Sequence, residues 1–97
     1  MAMLNEKDIT YVIMPDAEAM LRQARVDPER LIHRYLDGDL GTPTRMITLM
    51  NAQMKSPTEQ IGRYELGDHG VVIIRRRRSG MVCVMDGASV LSFLEGL

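Results

Sequence analysis

The chain has 97 residues, 45 % hydrophobic and 26 % charged, and its 12 Lys/Arg against 13 Asp/Glu leave a formal net charge of −1. That balance suits one globular domain with one core and argues against a disordered tail or a uniformly basic polyanion binder. No apolar run approaches the roughly 20 residues needed to span a bilayer.

Residues 9–14, ITYVIM, are β-branched and aromatic enough for a short strand that Pro15 ends. In DAEAMLRQAR the acids Asp16 and Glu18 come first and Arg22 and Arg25 last, the charge order that suits a helix dipole. A second helix is punctuated more fully: Asp27 can cap it, Pro28 takes its first position and Gly38 stops it. Leu31, Ile32, Tyr35 and Leu36 recur at helical spacing as its buried face, leaving Glu29, Arg30, His33, Arg34 and Asp37 outward. A third helix is expected from Thr42 as cap and Pro43 inside it, with Met46, Ile47, Leu49, Met50 and Met54 as its apolar stripe and Ser56-Pro57 closing it.

From Gln60 the pattern changes to strand and turn alternation: IGRYEL, GDHG, VVIIRRRR, SG and MVCVM predict a three-stranded antiparallel meander. Asp86 would then cap a short terminal helix anchored by Val90, Leu91, Phe93 and Leu94. The fold class is therefore α+β: a short N-terminal strand, about three helices, the meander and a short C-terminal helix. One domain spans 1–97, its helical part at 16–55 and its hairpin part at 60–86.

Four consecutive arginines, Arg75, Arg76, Arg77 and Arg78, interrupt this apolar hairpin. A two-residue turn at Ser79-Gly80 would set Arg78 opposite Met81 and Arg75 opposite Val84, with Arg75 and Arg77 on one side and Arg76 and Arg78 on the other. Unpaired arginines inside the core would cost several kcal/mol each, so the tip should project from a buried stem. That stem is apolar on both sides and calls for a layer on each, the second from this chain or from another subunit. Basic charge is concentrated here: residues 41–78 hold seven Lys/Arg against three Asp/Glu, whereas residues 1–40 hold five against eight. Arginine binds phosphate in a bidentate manner, and a two-stranded ribbon can enter a DNA groove or follow the backbone.

The stretch AEAMLRQARVDPERLIHRYLDGDLGTPTRMITLM, residues 17–50, resembles the helix-turn-helix of phage and bacterial repressors. Met20 and Ala24 match apolar positions of the first helix, and Val26 follows the turn. Asp27 matches the start of the second helix, Leu31 its buried position and Gly38 its end; Pro43, Ile47 and Leu49 fall in the helix after it. The chain departs from the pattern at Arg25, where the family usually has glycine, at Leu21, where it usually has alanine, and at Arg34, where an apolar residue would pack. The resemblance implies that Glu29, Arg30, His33 and Arg34 face a groove, that the arginine ribbon rests on flanking phosphates, and that a homodimer reads two half-sites.

Catalysis is not expected. Cys83 with His33 and His69 does not make a four-ligand zinc site, and no nucleophile stands beside a base held by a third group. GDHG lacks the length and the following lysine of a phosphate-cradling loop. Cys83, between Val82 and Val84, reads as a small buried hydrophobe. No cofactor is called for, and the early acids of the N-terminal segment do not form a secretory signal, so the cytoplasm is the expected compartment. The reading is a small dimeric DNA-binding protein, a transcriptional regulator. The alternative is a protein-binding module, whether inhibitor, antitoxin, chaperone or anti-activator, that meets an acidic protein partner.

Overall fold

The computed structural model describes residues 10–54, 59–77 and 79–88. Strand β1 (Tyr11–Ile13) is followed by helices α1 (Pro15–Ala24), α2 (Pro28–Leu36) and α3 (Arg45–Gln53), then by strands β2 (Ile61–Glu65), β3 (Val71–Arg76) and β4 (Val82–Asp86). The last three strands form the expected antiparallel meander, with a 3-10 turn at Gly67–His69 between β2 and β3. The sheet nevertheless has four strands and is mixed, not a three-stranded antiparallel one. Strand β1 adds in parallel beside β4, giving the order β1-β4-β3-β2. A parallel partner needs a long crossover, and α1, α2, α3 and the meander supply it. The expected helix anchored by Val90, Leu91, Phe93 and Leu94 lies outside the described residues, and Asp86 closes β4.

Strand alternation divides the core in two. On one face Tyr11, Ile13, Tyr64, Val72, Ile74, Val82 and Val84 pack with Ala17 and Leu21 of α1 and Leu31, Ile32 and Tyr35 of α2. On the other, Ile61 and Ile73 pack with Ile47 of α3, with Met50, Met54, Val71 and Met85 around them. The doubly apolar stem is thus covered on both sides from within one chain.

Local chemistry explains the helix ends. Pro15 opens α1 where its missing N–H would have had no partner, and Asp27 accepts from the Glu29 N–H at 2.9 Å to cap α2. The amide of Asp39 closes α2 on the Arg34 carbonyl as the chain turns through Gly38. Helix α3 begins later than Thr42 and Pro43 suggest. Thr44 is its cap, accepting from the Ile47 N–H at 3.2 Å, because residues 40–42 are held in extended form against β2. The expected apolar stripe of α3 also divides. Ile47 is buried and Met50 packs beside it, but Met46 and Leu49 are 60 % and 57 % exposed, and Asn51 turns inward in their place.

The hairpin register is shifted by one residue from a two-residue turn. Arg75 pairs with Cys83 and Arg76 with Val82, and the Arg77 amide donates to the Met81 carbonyl at 2.8 Å. The loop is therefore the three residues 78–80, with Gly80 at φ +93°, the left-handed position such a loop requires. The apolar pattern selects this register: it sets Val82 and Val84 on the face of Val72 and Ile74, all four fully buried. The shorter loop would have placed Val84 opposite Arg75.

Candidate nucleic-acid interface

The arginine run extends down the ladder as well as around the tip. Arg75 and Arg76 are the last two residues of β3 and are half-buried, Arg77 is exposed, and Arg78 lies outside the described residues. Alternation puts Arg76 on the face that meets α1 and α2 and sets Arg75 and Arg77 on the α3 face. The Arg76 Nε donates to the Gly80 carbonyl at 3.3 Å, which brings its guanidinium to the tip while its stem lies along the ladder. Among the described residues, none of these three arginines forms an ion pair with a carboxylate; the basic side chains that do are Arg22, Arg34 and Arg63. The hairpin end therefore carries three positive charges with no anion of this chain beside them.

Helix α2 approaches that end through Tyr35. Its hydroxyl donates to the Gln60 carbonyl and accepts from the Arg76 N–H at 2.9 Å, so one side chain ties the helix to the start of β2 and the end of β3. Glu29, Arg30, His33 and Arg34 are all exposed on the outer side of α2, as the periodicity predicts. Glu29, Arg30 and His33, with Asp27, line one open cleft of about 310 Å³. Its charges are mixed, two carboxylates with one guanidinium and one imidazole. Arg34 is drawn away from the cleft: its Nε donates to Asp39 Oδ2 at 2.7 Å and its guanidinium lies 5.1 Å from the centre of the Tyr64 ring. It holds the loop after α2 as well as facing solvent.

That loop seals the outer edge of β2. Asp39 Oδ1 accepts from the Gly41 N–H at 3.0 Å, and the Asp39 carbonyl accepts from the Tyr64 hydroxyl at 2.7 Å. Arg34 and the Gly41 amide together hold the Asp39 carboxyl below the usual carboxylate range. The Arg63 amide then donates to Leu40 at 2.9 Å, and the Thr42 amide donates to Arg63 at 2.8 Å. Further along the edge, the Asn51 side chain accepts from the Ile61 N–H at 2.7 Å and donates to the Ile61 carbonyl at 3.0 Å. The carboxamide takes the place of a neighbouring strand. Sequence reading passes over Asn51, although a lone amide four residues after Ile47, on the apolar side of its helix, is the signal that could have found it.

No protein-family model matches this chain, and neither a curated protein nor a solved structure does. No helix among the described residues is long and apolar enough to cross a membrane, and no group of three or more metal-ligating side chains gathers among them.

Burial pushes the hydroxyls of both Tyr35 and Tyr64 above their ordinary value of 10.0, because a tyrosinate in either place would lose its water. The unfolded chain releases these protons first. Stability that is complete below pH 10 should therefore fall as the pH rises beyond it. In the Tyr11→Phe variant, whose only tyrosines are Tyr35 and Tyr64, tyrosinate absorbance should rise together with the loss of circular dichroism. Ionisation at the ordinary value with the dichroism intact would show that the two hydroxyls are open to water.

Proposed function

We propose that the chain is a DNA-binding protein, a small transcriptional regulator acting as a homodimer, whose arginine hairpin neutralises phosphates. The observation that carries this reading is the end of the β3–β4 ribbon, where Arg75, Arg76 and Arg77 stand together without an acidic partner among the described residues. Guanidinium groups in that setting keep their donors available for phosphate oxygens. The helix-turn-helix resemblance adds support from a second place. Three residues separate α1 from α2, and Arg25, which stands where the family usually has glycine, has φ 57° and ψ 40°, the left-handed conformation that glycine favours. The second reading, a module for an acidic protein partner, is supported by the exposed Met46 and Leu49 on α3.

Fluorescence anisotropy of a labelled mixed-sequence duplex, titrated across a salt series, tests the DNA reading. Each phosphate neutralised contributes a slope of about −0.9 to log affinity against log salt. The wild type should show a slope steeper than −3, and the variant with Arg75, Arg76, Arg77 and Arg78 all changed to alanine should lose most of it while keeping native circular dichroism. Failure of the wild type to bind at low salt, or an unchanged slope in the variant, would turn attention to the protein partner.

A further inference from the structure

The ligand of this hairpin can be narrowed, on the DNA-binding reading above, by what surrounds the arginines and by which way they point. Proteins that hold single strands combine a basic track with exposed aromatic rings on which bases stack, each stacked base contributing about 1–3 kcal/mol. Nothing of that kind is available among the described residues. Tyr11, Tyr35 and Tyr64 are 5 %, 6 % and 2 % exposed, and the hydroxyls of Tyr35 and Tyr64 are bonded to backbone groups. The sequence has no tryptophan, and the hairpin offers only arginine, serine, glycine and methionine beyond its buried stem.

The second observation is the distribution of charge over two faces. A binder that followed one backbone along a surface would need its cations on one side only. Here Arg76 is on one face of the ribbon and Arg75 and Arg77 on the other, while the bond from Arg76 Nε to the Gly80 carbonyl keeps the first of these at the tip. Two paired strands are about 4.8 Å apart. With side chains on both faces such a ribbon is too thick for the minor groove, about 6 Å wide, but matches the major groove at about 12 Å. Entering tip first, it would turn one face to each of the two sugar–phosphate walls.

We propose that the hairpin is a wedge for the major groove of duplex DNA, held by Arg76 on one wall and by Arg75 and Arg77 on the other. Single strands, which have one backbone and no groove, are the poorer ligand.

The test uses the full chain and labelled 20-mers of one sequence, as duplex and as single strand, with Arg76→Ala, the double variant Arg75→Ala/Arg77→Ala, and Arg76→Lys. At equal salt the duplex should bind at least tenfold more tightly. The salt slope on duplex should become shallower by about 0.9 in Arg76→Ala and by about 1.8 in the double variant, and Arg76→Lys should restore it. Methyl green, which occupies the major groove, should compete, and netropsin, which occupies the minor groove, should not. Single-strand binding as tight as duplex binding, a slope untouched by Arg76→Ala in a folded protein, or displacement by netropsin would each overturn the wedge while leaving DNA binding in place. Failure to bind either nucleic acid would overturn the DNA reading, and the wedge with it.

Discussion

Changing Gly41 to alanine should destabilise the protein by about 3 kcal/mol or more, enough in a domain of this size to lower Tm by about 12 °C. A Cβ at this position would stand 2.1 Å from the Arg63 carbonyl oxygen and 2.8 Å from Cδ1 of Tyr64, and the backbone has φ +72°. The carbonyl cannot move aside, since it accepts the Thr42 amide that fastens the loop to β2. Gly38→Ala supplies the comparison: it has φ +92° but nothing within 4 Å of a new Cβ. Its loss should be only about 1 kcal/mol, the cost of a left-handed alanine. The difference between the two variants in urea denaturation measures the close approach of loop and strand. Equal losses would mean that the loop does not lie against β2.

Asn51→Ala should be comparably damaging, by about 2–5 kcal/mol. It leaves the N–H and the carbonyl of Ile61 without partners beside a buried side chain, and each such group costs about 1–3 kcal/mol. Native-state hydrogen exchange offers a local reading of the same event: the Ile61 amide should be protected in the wild type and exchange much faster in the variant. Asn51→Asp should rescue little, because a carboxylate can accept from the Ile61 amide but has no donor for its carbonyl. A loss below about 0.5 kcal/mol, the range of ordinary surface changes, would refute the clamp.

What the sequence made legible follows the range of the forces involved. Asp27, Pro28 and Gly38 act on neighbours within one turn, and α2 has the expected ends and the expected buried and exposed faces. Thr42 and Thr44 offer rival caps two residues apart. The choice between them depends on bonds to Arg63, remote in sequence, and so was not visible locally. The hairpin was evident, but Ser79-Gly80 suits a loop of two residues or of three. Only the burial of Val82 and Val84 beside Val72 and Ile74 decides which. At the candidate interface the arginine run could be read directly, and so could the exposure of Glu29, Arg30 and His33. The engagement of Arg34 with Asp39 and Tyr64 could not, because it needs the loop after α2 to fold back on the sheet.

The position of β1 carries a consequence for how the chain assembles. Tyr11 is paired with Val82, so the first strand to leave the ribosome has the last one as its neighbour. While α1, α2 and α3 are being synthesised, β1 has no strand to join, and the apolar side of α1 has no β4 to rest on. Closure of the sheet then brings together distant parts of the chain, a topology that slows folding and lengthens the life of partly folded chains. Newly made copies would thus pass through an interval in which Tyr11, Ile13 and Leu21 are uncovered, and the final strand ends it.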